Sequence, residues 1–290
     1  MRSIREPDSG LLSINAATVR KQWALPEIIA GCARHGVRRL SPWRDQVAAT
    51  GLKETAQRLR DAGMALSGYC RGGMFTADAA RRIEARDDNR RAIDEAKALG
   101  APCIVLVVGG LPKDSDGRIV SKDMAGAREM VRDGIGELLE YARPAAMPLA
   151  IEPLHPMYAA DRACVNTMGH ANDLCDELAP GANGGLGIAV DVYHVWWDPD
   201  LRAEIERAGG HPGRLAAFHI CDWLVPTADL LLDRGMMGDG VIDIPLIRTW
   251  MENAGYGGPH EVEIFSANNW WKRDPDEVLR TCIERHRTVC

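Results

Sequence analysis

A closed (β/α)8 TIM barrel folded as a single domain over residues 1–290 is what this sequence predicts, and three observations carry the prediction. Eight short runs rich in Val, Ile, Leu and Ala recur along the chain, and several are apolar on successive residues, the mark of strands covered on both faces. Segments with helical spacing alternate with them. No G-x-G-x-x-G follows the first run, and an open doubly wound sheet would usually carry one and have fewer strands. The length alone allows two domains, but α/β barrels often use this much chain as one, and no linker or low-complexity segment divides it.

The elements run in order along the chain. LLSIN at 11–15 leads to a helix near 26–35, stopped by His35-Gly36, and VRRLS at 37–41 to a helix near 45–62, stopped by Ala62-Gly63. After ALSGY at 65–69 comes the clearest helix, 78–100, on which Ala79, Ile83, Ile93, Ala96 and Leu99 share one face and Gly100 ends the run. CIVLVV at 103–108 is apolar throughout and precedes a helix near 122–143, PLAIE at 148–152 one near 168–178, and LGIAVD at 186–191 one near 200–208. LAAFHI at 215–220 is followed by a long irregular connection, 222–243, and a helix near 244–254. EVEIF at 261–265 and a helix near 275–287 complete the pattern. Long loops inside compact domains are often functional, which singles out 222–243.

Hydrophobic residues at 46% and charged residues at 26% are ordinary for a soluble globular chain and argue against disorder or a fibrous architecture. A formal charge of -6 gives no footprint for a phosphate backbone, so no nucleic acid partner is expected, although a local positive cleft can sit inside an acidic total. The eight cysteines form no C-x-x-C pair and MRSIREPDSG lacks the apolar core of a signal peptide, which predicts reduced thiols in a cytoplasm. No stretch nears the roughly 18 uninterrupted apolar residues of a membrane helix, so no membrane partner is expected either.

Charged groups interrupt the second-half strands just where they end: AIEPLHP, AVDVYHV, FHICDW and VEIFS contribute Glu152, Asp191, His219 and Glu263. In a barrel the C-terminal strand ends open on one face, so these four converge. Each alone is commonly a helix cap or an ion-pair partner. Burying three carboxylates together costs too much unless a cation or shared protons compensate, so jointly they predict one divalent metal ion. An oxygen-rich set with one imidazole suits Mn²⁺ best, then Mg²⁺ or Co²⁺, with Zn²⁺ open. Cys70 and Cys221 also lie near strand ends, where free cysteine is commonly a small buried hydrophobe.

His194 and His155 stand three residues after Asp191 and Glu152 and are candidates to bind a substrate hydroxyl, against a purely structural role. Asp222 is a candidate to orient His219 or contact substrate, or else to cap the segment after it. Arg71 and Arg234 are candidates for oxygen-rich ligands, against exposed loop arginines. Six of the eight tryptophans (43, 196, 197, 223, 270, 271) come after strands on the same face as the acids. Trp196 among them is expected to pack on a small sugar or polyol, and some of the six to line a homo-oligomer interface.

On IEP at 151–153, D-x-x-H at 191–194, the histidine of FHICD, GDGVID at 238–243 and EVEIF at 261–265, the chain resembles the xylose isomerase-like TIM-barrel superfamily. That sugar phosphate isomerase/epimerase group includes keto-sugar 3-epimerases, inosose dehydratases and apurinic endonucleases. The resemblance spans nearly the whole length. It implies that Glu152, Asp191, His219 and Glu263 bind one divalent metal and that, as in the epimerases, Glu152 and Glu263 exchange protons with substrate. The endonuclease branch adds histidines from earlier strands, whereas SGYCRGG and VVGGLP here have none, so a trinuclear nuclease site is not expected.

The expected chemistry is proton abstraction next to a carbonyl through an enediolate, giving isomerisation or epimerisation of a keto sugar. With a leaving group on the β-carbon, the same residues serve a dehydratase or lyase on a keto-sugar, keto-inositol or 3-keto-glycoside. A non-catalytic sugar-binding barrel is the third reading, and intact Glu152 and Glu263 argue against it. GG at 72–73, GG at 109–110 and Arg234 hint at a phosphate site, but an unphosphorylated polyol fits better.

Overall fold

The computed structural model describes residues 6–181 and 184–290, apart from the side chains of residues 79 and 80. The expectations for the first five residues and for Ala79 on a helix face lie outside the described residues.

Among the described residues eleven strands form: β1 (Leu12–Asn15), β2 (Arg39–Ser41), β3 (Ala65–Leu66), β4 (Tyr69–Gly73), β5 (Ile104–Val107), β6 (Leu149–Ile151), β7 (Leu186–Asp191), β8 (Leu215–Ile220), β9 (Asp222–Trp223), β10 (Arg234–Gly235) and β11 (His260–Val262). Nine of them make one parallel sheet in the order β3-β2-β1-β11-β8-β7-β6-β5-β4. β3 and β4 come from one stretch of chain, interrupted at Ser67-Gly68, so both ends of that order belong to the same strand position. A parallel bridge between Trp43 and Cys70 spans the gap. The result is a nearly closed α/β barrel with eight strand positions, as the sequence predicted.

Among the described residues ten helices accompany the sheet: α1 (Leu25–Arg34), α2 (Arg44–Thr50), α3 (Leu52–Asp61), α4 (Ala79–Leu99), α5 (Met124–Ala142), α6 (Met168–Leu178), α7 (Val192–Val195), α8 (Leu201–Gly209), α9 (Ile244–Asn253) and α10 (Pro275–Val289). Most match the expected helices to within a residue or two. The segment 45–62 is not one helix, because Gly51 adopts φ 96°, which ends α2 and sets a new direction for α3. On α4, Ile93 and Ala96 are buried as expected, but Ile83 is 57% exposed. A 21-residue helix extends about 30 Å, far more than the four-residue β5 beside it, so its first turns overhang the wall. The last strand ends at Val262 rather than 265.

Alternation along the strands decides what faces inward. Ala150, Ala189 and Ala217 pack with Cys70, Cys103 and Val105 in a small cluster, and two residues on from the three alanines stand Glu152, Asp191 and His219. Small side chains below and ionisable ones above therefore fill the barrel interior. The larger apolar core lies between wall and helices. All eight cysteines are free and buried. Among the described residues, no helix is long and apolar enough to cross a membrane.

Candidate metal centre and substrate pocket

Glu152 follows β6, Asp191 ends β7, His219 lies in β8 and Glu263 follows β11, so four neighbouring strands β6, β7, β8 and β11 each deliver one group. One ligand atom from each lies within 4.8 Å of all the others. All four residues are buried, at 6%, 0%, 0% and 4% exposure respectively. The register sets this: Asp191 pairs with His219 across β7 and β8, and His219 with Glu261 across β8 and β11.

Glu261 was not foreseen. It points inward below Glu263, is 1% exposed, and makes a fourth buried acid. Asn15 Nδ2 donates both to Glu261 Oε1 at 2.7 Å and to Glu263 Oε1 at 2.9 Å, and the Ser67 hydroxyl donates to Glu261 Oε2 at 2.7 Å. The period-two alternation of E-V-E carries the signal that would have found it.

One permanent cation sits among these acids. Arg234 Nη1 donates to Asp191 Oδ2 at 2.8 Å and to Glu263 Oε2 at 3.0 Å, and its guanidinium lies 4.4 Å from the Tyr193 ring centroid and 5.2 Å from that of Phe265. The segment 222–243 puts it there: β9 and β10 form an antiparallel ribbon pairing Arg234 with Trp223. Asp222 fastens that segment, accepting from Gly238 N, Gly240 N, Trp223 N and Ile242 N at 2.8–3.0 Å. A Cβ at Gly240 would fall 2.1 Å from the Trp223 carbonyl oxygen, which explains the glycine of GDGVID. Asp222 thus spends its carboxylate on backbone amides rather than on His219.

Burial pushes the Glu263 carboxyl up to about 8, against the lowering effect of Arg234 and His219. Burial alone would lower His219, but Glu261, Glu152 and Glu263 outweigh it and hold the imidazole well above its usual range. For Asp191 burial is outweighed by Arg234, His194 and His219, which lower it. Four buried carboxyl groups converge on one guanidinium and one imidazole, and His219 Nε2 has no hydrogen-bond partner. That donor set fits a divalent cation. Cys70 and Cys221 are not among the four converging donors.

Above the acids lies a cavity of about 50 Å³, lined by Trp43, Arg71, Tyr158, Arg162, His194, Arg234 and Phe265 among others, with Glu152 and Glu263 also in its lining. His194 Nδ1 accepts from His155 N at 3.2 Å, its Nε2 lies 3.1 Å from Arg234 Nη2, and burial lowers it to about 3. His155 is lowered by burial and stacks on Trp223 at 4.8 Å. Trp196 packs against Trp223 at 5.9 Å with its indole N–H buried and unpartnered. Of the six tryptophans expected here, Trp43 alone lines the cavity. The others brace the rim: Trp197 donates to His194 O, Trp271 to Ala17 O and Trp270 to Asp239.

A family model described as "Xylose isomerase-like TIM barrel" matches residues 27–283. L-ribulose-5-phosphate 3-epimerase UlaE of Shigella flexneri serotype 5b (strain 8401) is 26% identical over 223 residues, spanning 76% of this chain and 69% of that protein. The crystal structure of protein SMc04130 from Sinorhizobium meliloti 1021 is 57% identical, with a TM-score of 0.92, covering 98% of this chain and 99% of that one. The IOLI protein, crystallised with a zinc atom bound, is 19% identical with a TM-score of 0.77, covering 96% of this chain and 97% of that one, a likeness of fold.

Proposed function

The chain belongs to the xylose isomerase-like TIM-barrel family, and on that premise we propose that it is a divalent-metal-dependent isomerase or epimerase of a keto sugar or related polyol. The observation that carries this reading is the convergence of Glu152, Asp191, His219 and Glu263 within 4.8 Å, with Glu152 and Glu263 lining the mouth cavity. A largely oxygen donor set favours Mn²⁺, with Mg²⁺, Co²⁺ and Zn²⁺ as further candidates. When bound, the ion supplies Lewis-acid stabilisation of the oxyanion that develops on the sugar.

The chain's own residues supply the rest. Glu152 and Glu263 come from the two outer strands of the β6-β7-β8-β11 arc and so approach the cavity from different sides. One removes a proton from the carbon beside the carbonyl and the other returns it to the opposite face of the planar enediolate. Arg234 keeps its Nε–H buried without a partner, a donor available to a substrate oxygen, and His194 stands next to it. Trp43 and Phe265, in edge-to-face contact at 5.7 Å, exclude water. His155 and Trp196 shape the rim, and Asp222 holds the segment that carries Arg234.

The test is incubation of Mn²⁺-loaded protein with a panel of ketoses in D₂O. Deuterium appearing at carbon without loss of water supports the proposal, as does its disappearance in Glu152→Gln. Release of water or an aglycone moves the reading to elimination, and no exchange by protein that takes up no metal moves it to a sugar-binding barrel.

A further inference from the structure

The mouth cavity holds two more cations that the proposed chemistry does not use. Arg71 sits where β4 slips register against β5, between Cys70 and Gly72, and such a bulge re-aims a side chain out of the strand's alternation. It lines the same cavity as Glu152 and Glu263. Half-buried, it has neither a hydrogen bond nor an ion pair among the described residues. Burial and the charge of Arg162 both lower it, so nothing nearby compensates its charge fully.

Arg162 lines the cavity too, with its guanidinium 5.8 Å from the Tyr158 ring centroid. The acid beside it, Asp161 at 3.7 Å, is already held by Lys113. Asp229, the other acid nearby, accepts from Leu231 N and Leu232 N. Tyr158 is 6% exposed, and its hydroxyl is buried with no partner. Two guanidinia that repel each other and an orphaned hydroxyl share one cavity in a chain of net charge -6. Buried polar groups left unpaired call for a ligand, and arginine forks match planar or tetrahedral oxyanions.

We propose that the substrate carries an oxyanion, phosphate or carboxylate, seated between Arg71 and Arg162 with the Tyr158 hydroxyl donating to it, while its keto end lies over Glu152 and Glu263. This rests on the isomerase reading and names its substrate class, reversing the sequence-based preference for an unphosphorylated polyol.

The test has two arms. Inorganic phosphate is titrated calorimetrically into ion-free protein, wild type, Arg71→Gln and Arg162→Gln; binding weakened about tenfold or more by each variant supports the oxyanion seat. In the second arm Mn²⁺-loaded enzyme exchanges deuterium into a pentulose phosphate, a keto-hexuronate and a neutral ketohexose. The proposal expects one anionic ketose to exceed the neutral one by about tenfold or more in kcat/KM, through KM, and that ratio to fall by a similar factor in each variant; which anion wins identifies the source. Equal kcat/KM for charged and neutral ketoses, or a ratio that neither variant moves, overturns it and leaves the isomerase reading intact. Arginine-dependent phosphate binding with no exchange into any ketose instead overturns the isomerase reading and keeps the oxyanion seat. Arg162 stands at the rim, so its variant keeps the test alive should Arg71→Gln fail to fold.

Discussion

The two faces of β11 bury ionisable groups under opposite rules. On the inner face Glu261 and Glu263 crowd with Glu152 and Asp191 around His219 and Arg234, and charge is met by charge at 2.8–3.0 Å. On the outer face of the same strand, His260 lies 3.0 Å from His286 of α10, beside the Phe218 ring and near the buried Arg248, with exposed Asp8 as an acid acting on the pair. Burial lowers His260 to about 3 and His286 to about 4. The inner face therefore gathers acids around a guanidinium and a charged imidazole, with Glu263 raised by burial, whereas the outer face holds a pair of neutral histidines. One strand can do both because successive side chains enter different media.

The largest expected effect tests the inner face. Arg234→Met removes the guanidinium from Asp191 and Glu263, and leaving buried carboxylates uncompensated costs about 3–5 kcal/mol. Urea unfolding without metal should show that loss, and saturating Mn²⁺ should recover most of it, because an ion bound only by the native state stabilises by mass action. A loss under about 1 kcal/mol, or one that the ion leaves untouched, would break the contrast between the faces.

The outer face should respond to pH instead. Both histidines have folded-state values below the ordinary 6.5, so between roughly pH 6.5 and 4 the unfolded chain binds more protons than the native one. Their contribution to stability is complete above about pH 7 and is lost as pH falls through that window, at up to about 2.7 kcal/mol per pH unit for two protons. His286→Gln should about halve the slope measured by urea unfolding at a series of pH values. An unchanged slope would mean that the pair does not stay neutral on folding.

The contrast was half legible in the sequence. Each of Glu152, Asp191, His219 and Glu263 interrupts an apolar run at its end, and barrel topology alone brings such positions together. Glu261 escaped because attention to strand ends passes over the residue two places back. Arg162 and Tyr158 reach the mouth on a segment folded over it, where no periodicity applies, whereas Arg71 was already a candidate from GYCRGG and owes its aim to a bulge that leaves no mark in composition. Position after a strand puts a tryptophan near the mouth but does not fix where its ring goes: Trp43 lines the cavity, whereas the indole N–H groups of Trp197, Trp270 and Trp271 bond carbonyl and carboxylate acceptors in the rim.

The smallest expected effect sharpens the inner rule, that its acids are held by directed donors. The Ser67 hydroxyl donates to Glu261 Oε2 at 2.7 Å and lies 2.7 Å from that of Ser13, in a site where both serines are buried. Ser67→Ala deletes one donor and leaves Glu261 with Asn15 and with His219 Nε2 3.6 Å away, so about 1 kcal/mol should go, the range of a single hydrogen bond. Because no histidine of the outer face is touched, Ser67→Ala should leave the pH slope carried by His260 and His286 unchanged. A Ser67→Ala loss below about 0.3 kcal/mol would mean that the hydroxyl is not among the donors that hold the inner acids in place, and the rule of directed donors would fail at its lowest member.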